Sequence, residues 1–346
     1  MNRIKKTFII CISLFLLGLL IYFVLPNKET IQENKNDIEI DTITYCNLID
    51  INSNRIVVNG TIINAEGNIL IDTGGNENGT IIMDSSFFYN NVDTSNLVLN
   101  KKEMMKHIVG YYSGEIPIKI GDISFIAKNI LILDSKFSMF DENSNYIAII
   151  GKLFYDKTMR VNFDDNRMTF ADSLIFDTLG YTKLHLYPPR RITGKDPKKN
   201  EALNENEKYI EIDGFIDKKE NRKKGLFLFD TGCNRSLILK SHFGKTLKKP
   251  EQYEWFCEPY EKREALWVWK ADNLNISNFI IDSVNVEQSL FGLCPGFFSI
   301  DMLEGGDGII GMEIIKKFNF IADFKNNVIY FKPSKYYYEF EKSEIK

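Results

Sequence analysis

Ile69-Leu70-Ile71-Asp72-Thr73-Gly74 and Leu226-Phe227-Leu228-Phe229-Asp230-Thr231-Gly232 share one pattern, an apolar run that stops at Asp-Thr-Gly. One such tripeptide carries little information. Two of them, each followed at a matched distance by Ile-Ile-Gly, mark an internal duplication. Asp72 lies 79 residues before Gly151, and Asp230 lies 81 before Gly311. Ala148-Ile149-Ile150-Gly151-Lys152-Leu153-Phe154 aligns with Gly308-Ile309-Ile310-Gly311-Met312-Glu313-Ile314, and Val161–Phe170 aligns with Ile321–Phe331 after a small shift. Two copies make a duplicated domain and not a solenoid.

Around these anchors the chain reads as short strands. Arg55–Asn64 holds two apolar stretches about Asn59-Gly60, a hairpin or bulge signal, with a turn at Ala65–Asn68. Gly110-Tyr111-Tyr112-Ser113-Gly114, with glycine at both ends, reads as a hairpin tip. Lys101–His107 reads as partly helical. In the second copy Asp213-Gly214 stands where the first has Asn59-Gly60, and Asp217–Lys224 reads as a charged turn. The expected organisation is a stalk at 27–45, lobe 1 at 46–172, a linker at 173–206, lobe 2 at 207–333 and a tail at 334–346. Pro188-Pro189 and the polar run Gly194–Asn206 carry the linker assignment.

Composition bounds the function. The chain has 346 residues, 44% hydrophobic and 26% charged, with 26 Phe and 16 Tyr, enough for two packed cores without disulfides. A net charge of −4 argues against a nucleic-acid partner. Five scattered cysteines and three histidines offer no metal-ligand spacing, so no metal and no cofactor is expected. Arg3, Lys5 and Lys6 precede an uncharged run of 19 residues, Thr7–Leu25, close to the ~20 residues that cross a bilayer as a helix. Residues 1–26 therefore read as a signal anchor and single transmembrane helix, N-terminus inside, with everything after Pro26 extracytoplasmic, periplasmic or extracellular. A cleaved signal peptide is the alternative. Pairing of Cys257 with Cys294 stays open.

An Asp at a rigid strand end is left partly desolvated, and the following Gly lets another backbone approach closely. When two such tips meet, both carboxylates cannot ionise, so they share one proton. One then acts as base on a water while the other, protonated, polarises a carbonyl.

Each copy resembles a retropepsin-like aspartic protease domain: apolar strand, Asp-Thr-Gly, Gly-containing flap, then apolar-apolar-Gly beneath the turn. The resemblance covers roughly 50–172 and 207–332. It implies a mainly β protein of two closed β-barrel lobes related by a pseudo-twofold axis and paired as in pepsin, preceded by one transmembrane helix. It implies Asp72 and Asp230 as the catalytic pair, with Thr73, Gly74, Thr231 and Gly232 completing the turns and Ile150, Gly151, Ile310 and Gly311 supporting them. Gly110, Tyr111 and Tyr112 would form a flap over substrate, and Trp267 and Trp269 a cleft wall. Lobe 2 lacks a Gly in Glu258–Lys270, so a single working flap is expected, from lobe 1. Gly75 and Cys233 stand where the family often has Ala or Ser, which puts the symmetry of the halves in question. The implied function is an aspartic endopeptidase acting on a polypeptide substrate, monomeric with intramolecular lobe pairing. Two alternatives stand beside it: a catalytically inactive peptide- or protein-binding module on the same scaffold, and lobes that pair between chains.

Overall fold

Alternating apolar residues become strands here because neighbouring strands take up their backbone groups on both sides. The first half contains β1 (Thr44–Asn47), β2 (Val57–Ile62), β3 (Ala65–Ile71), β4 (Thr80–Asp84), helix α1 (Ser85–Asn91), β5 (Val98–Leu99), β6 (Ile108–Ile120), β7 (Ile123–Leu133), β8 (Ala148–Ile150), β9 (Thr158–Asn162) and β10 (Arg167–Ala171). After β11 (Thr182–His185), the second half contains β12 (Tyr209–Ile216), β13 (Lys218–Phe229), β14 (Leu237–Leu239), β15 (Tyr253–Cys257), β16 (Arg263–Ile276), β17 (Phe279–Ile281), β18 (Val284–Ser289), β19 (Gly308–Ile310), helix α2 (Met312–Ile315), β20 (Phe318–Asp323) and β21 (Val328–Pro333). This computed structural model describes residues 44–48, 54–75, 79–100, 108–134, 140, 145–189, 207–216, 218–239, 253–257, 263–289 and 305–338. All of them belong to one unit, 41–346.

The duplication is visible strand for strand. One sheet runs β2-β3-β8-β4-β7-β6-β5, and another runs β12-β13-β19-β14-β18-β16-β15 with β17 added on β16. Each copy has the same parallel pair behind its Asp-Thr-Gly: Ile71 lies opposite Ile150, and Phe229 opposite Ile310. The same long strand also folds back onto the first hairpin in each copy, β6 on β2 and β16 on β12. Gly60 and Gly214 sit at these crossings. A Cβ on Gly60 would meet the Lys119 carbonyl at 2.7 Å, and one on Gly214 would meet Leu274 Cα at 3.0 Å. These glycines are therefore mid-strand close approaches and not turns. The first hairpin turns instead at Ile63-Asn64, with Ala65–Asn68 already in β3. In the second copy the expected charged turn belongs mostly to β13, which begins at Lys218.

A third sheet joins the halves. Its order is β1-β10-β9-β20-β21-β11, with β9 of the first half beside β20 of the second. Both of its Asn-containing hairpins turn through a left-handed residue, Asn166 (φ 52°) and Asn327 (φ 56°), a conformation that Asn tolerates. Its inner face is aromatic: Phe318 stacks on Phe331 at 4.6 Å, and Phe154 contacts both Phe170 and Phe324. The 173–206 segment is thus not all linker. Leu184 pairs with Ile329 within β11, and Tyr187 bridges to Tyr209. The tail also begins inside the fold, since Ser334 is buried and donates to the Lys316 carbonyl at 2.6 Å.

Among the described residues no helix is long and apolar enough to cross a membrane. The Thr7–Leu25 segment, the Lys101–His107 stretch and Cys294 lie outside the described residues.

Candidate active site

The strands β3 and β13 each bury their apolar side chains and end at an Asp held from behind. The Asp72 amide donates to the Ile150 carbonyl at 2.9 Å, and the Asp230 amide to the Ile310 carbonyl at 3.1 Å. The two threonines then cross between the halves. Thr73 Oγ1 donates to the Phe229 carbonyl (2.7 Å) and accepts from the Thr231 amide (3.0 Å). Thr231 Oγ1 donates to the Ile71 carbonyl (2.8 Å) and accepts from the Thr73 amide (3.0 Å). Both threonines are fully buried, so these four bonds satisfy groups that have no access to water.

The glycines make room for the carboxyl groups. A Cβ on Gly74 would lie 2.3 Å from Asp230 Cγ, and one on Gly232 would lie 2.3 Å from Asp72 Cγ. Each half therefore holds the other's carboxylate against its own glycine. Gly311 is equally constrained, because a Cβ there would meet the Arg235 carbonyl at 2.2 Å.

The two carboxyl groups share a hydrogen bond but are not equivalent. Asp230 Oδ1 accepts from the Gly232 amide at 2.8 Å and the Cys233 amide at 3.2 Å. Asp72 Oδ1 is shielded from solvent and has no donor. The Gly75 amide, counterpart of Cys233, is committed to the Asp72 backbone carbonyl at 3.2 Å. Burial pushes the Asp72 carboxyl well above the usual carboxylate range, the neighbouring Asp230 charge and hydrogen bond push it further, and only the Gly74 amide among backbone donors opposes the rise. Burial also raises Asp230, while the hydrogen bond from Asp72 and the two amide donors oppose the rise. Lys152, which follows Gly151 directly, acts to lower both. One proton on the pair, resting on Asp72 with the charge on Asp230, fits this donor pattern.

Two residues that the sequence did not single out act on the site from the Asp72 half. The Tyr155 hydroxyl donates to the Thr73 carbonyl at 2.6 Å, and its ring stacks on Phe324 of the second half at 4.1 Å and 12°. Lys152 is the other. Extending the alignment through Gly151/Gly311 sets Lys152 against Met312 and Tyr155 against Ile315, so the departure from symmetry was readable there. The Asp230 half is braced by polar side chains. Arg235 Nη1 pairs with buried Glu287 Oε1 at 3.1 Å, and the Ser236 hydroxyl donates to Glu313.

The expected flap is misplaced by the sequence. Gly110, Tyr111 and Tyr112 lie within β6, paired with β7 at Ile132, Leu131 and Ile130, and not at a hairpin tip. Tyr112 packs inward against Phe88, ring centroids 5.1 Å apart. The hairpin that precedes this point is β5–β6, whose connecting residues 101–107 lie outside the described set. The second half has the equivalent hairpin, β15–β16, with Tyr253 opposite Trp267 and Cys257 opposite Arg263. The backbone therefore gives both halves this hairpin. Trp269 is 4% exposed and belongs to the hydrophobic core. Of Trp267 only the backbone is described, on β16.

Among the described residues no cluster of His, Cys, Asp and Glu could hold a metal ion. No protein-family model matches this chain, and no curated protein is significantly similar to it.

Proposed function

We propose that the chain is an aspartic endopeptidase, built as a single-chain pair of retropepsin-like lobes related by a pseudo-twofold axis and held to a membrane outside the cytoplasm. The observation that carries this reading is the carboxyl pair. Asp72 and Asp230 share a hydrogen bond at the centre of four reciprocal threonine bonds, each against the other half's glycine. A structural Asp in a turn needs no such partner.

In this mechanism Asp230, charged and held by two amides, takes a proton from a water lying between the carboxyl groups. The hydroxide attacks the scissile carbonyl carbon, while the Asp72 proton bonds to the carbonyl oxygen and stabilises the charge that develops there. The tetrahedral intermediate then expels the amine. The proton gained by Asp230 passes to the leaving nitrogen, and Asp72 recovers its own from the collapsing gem-diol. The pair returns to its starting state of one proton, and no covalent enzyme intermediate forms.

The test is hydrolysis of an unfolded polypeptide by the full chain in detergent, with and without a statine-type transition-state mimic. Cleavage that the mimic inhibits, and that Asp72→Asn and Asp230→Asn each abolish, supports the proposal. Cleavage that survives both substitutions sinks it. A folded chain that binds peptide but never cleaves it would favour a binding module instead.

A further inference from the structure

The joining sheet has two faces with different duties. Its inner face carries the site: Phe229, the residue before Asp230, touches Phe320 and Phe331, and Tyr155 rests on Phe324. Its outer face is crossed by residues 172–181, which run from the end of β10 to the start of β11. Tyr181 marks the crossing. Its hydroxyl bonds to Arg160, which alternates with the core residues Met159 and Val161, and Lys332 lies 5.9 Å from its ring. Ile321, opposite Arg160 in the sheet, is fully buried.

The crossing segment turns aliphatic side chains outward. Leu174 is 37% exposed, Ile175 40% and Leu179 84%, all within six residues. Surface aliphatics are ordinary when scattered singly, but three in one short segment are not. Local bonds hold them there, since the Leu179 amide donates to Asp177 Oδ1 at 2.8 Å and the Tyr181 amide to the Thr178 carbonyl at 3.0 Å. Tyr330 and exposed Lys183 face each other in the adjoining strands, on the side opposite core residues Leu184 and Phe331. Aliphatics beside Tyr and Lys form the mixture that suits a membrane–water boundary.

The chain also enters at this place. Thr44 pairs with Phe170, so the polypeptide joins the sheet one residue from Ala171, after which the exposed segment begins. Upstream lie the uncharged run Thr7–Leu25 and an 18-residue connection. Fully extended, that connection reaches about 60 Å, which keeps the unit at high effective concentration near any surface that holds the run.

We propose that Leu174, Ile175 and Leu179 form a bilayer-contacting face, so that the catalytic unit sits on the membrane with its carboxyl pair on the far side of the joining sheet. This rests on the membrane-anchor reading and not on the catalytic one. Substrates would then be extracytoplasmic chains reaching the site from the aqueous side, not the membrane-embedded segments of neighbours.

The full chain reconstituted in phosphatidylcholine vesicles provides the test. Leu179→Trp is compared with Val98→Trp, a control position 71% exposed on the first half, with part of the lipid brominated so that it quenches nearby tryptophan. Several-fold stronger quenching of Leu179→Trp, reduced to the control level by adding Leu174→Ser and Ile175→Ser, is the expected result. Equal quenching in a chain that floats with the vesicles overturns the face assignment and leaves the anchor standing. A chain that does not float overturns both. Peptide hydrolysis in detergent by Leu179→Trp, alone or with Leu174→Ser and Ile175→Ser, stays at the parent level, so a failure of the catalytic reading shows up separately.

Discussion

The two halves share a strand order and differ in how they hold one turn. In the Asp230 half the amide after Gly232 points to the carboxylate, and Arg235, Ser236, Glu287 and Glu313 fix the loop with polar contacts. In the Asp72 half the corresponding amide turns to its own backbone, and a single phenol from Tyr155 steadies the turn. Duplication alone would give two equal acids. The proposed mechanism needs unequal ones, and the inequality between these two comes from one amide and a few neighbouring side chains. The scaffold sets where the carboxyl groups meet, and its departures from symmetry set which of them keeps the proton.

The largest test of that division is removal of each acid. Either Asp→Asn change is expected to lower turnover by about 10²–10⁴-fold, the usual worth of a positioned acid or base. The two differ in stability. Asp72 has a folded pKa above its unfolded value, so its contribution is complete below the ordinary carboxylate pKa of about 4 and is lost as pH rises through the folded value. Asp72→Asn should therefore flatten the fall in urea midpoint between mildly acidic and neutral pH. Asp230→Asn should flatten it less, because the hydrogen bond from Asp72 and two amides oppose the Asp230 rise, whereas one amide opposes that of Asp72. Identical profiles would break the comparison.

Next come the crossed threonines. Thr73→Val and Thr231→Val each strand a buried carbonyl and a buried amide, at about 1–3 kcal/mol per group. Equal losses in chemical denaturation would show that the crossing itself is symmetric. The following pair probes the loop. Gly75→Ala places a Cβ 2.6 Å from Asp72 Oδ2, whereas Cys233 already carries one. Gly75→Ala should cost about 1–3 kcal/mol and much of the activity, and Cys233→Ala under about 1.5 kcal/mol with activity retained. A silent Gly75→Ala would remove the loop from the asymmetry. The smallest effect is expected from Tyr155→Phe, about 1 kcal/mol in stability, with a lower kcat and an unchanged KM.

The meeting of the two turns was legible because the pattern recurs: two Asp-Thr-Gly turns and two Ile-Ile-Gly strands single out Asp72, Asp230 and their glycines, which the structure brings together. Strand neighbours were harder. Asn59-Gly60 and Asp213-Gly214 have turn composition, yet each glycine serves a crossing strand that only tertiary packing creates. Gly110–Gly114 misled for a related reason. Its glycines sit at irregular steps in the β6–β7 register, where residues slip from Ile108 to Gly110 and from Ser113 to Ile116. Such a bulge shares the small residues of a tip. Trp269 reads as a cleft residue by type, and it packs in the hydrophobic core. Thr182–His185 lies between Gly180 and Pro188-Pro189 in a stretch that reads as linker, yet it completes an edge of the joining sheet whose partner lies more than 140 residues away in sequence.

That joining sheet has one more consequence. Because β9 of one half lies between its own β10 and the other half's β20, the boundary between the halves is a run of main-chain bonds and not a surface that can peel apart. The chain crosses from one half to the other once, and the seam does not depend on that crossing. A protein nicked between residues 190 and 206 should migrate as one species in native gels and as two under denaturing conditions. Its two fragments, made separately, should bring the carboxyl pair together only when they refold together, since each supplies one carboxyl and part of the six-stranded floor beneath it, four strands from the first fragment and two from the second.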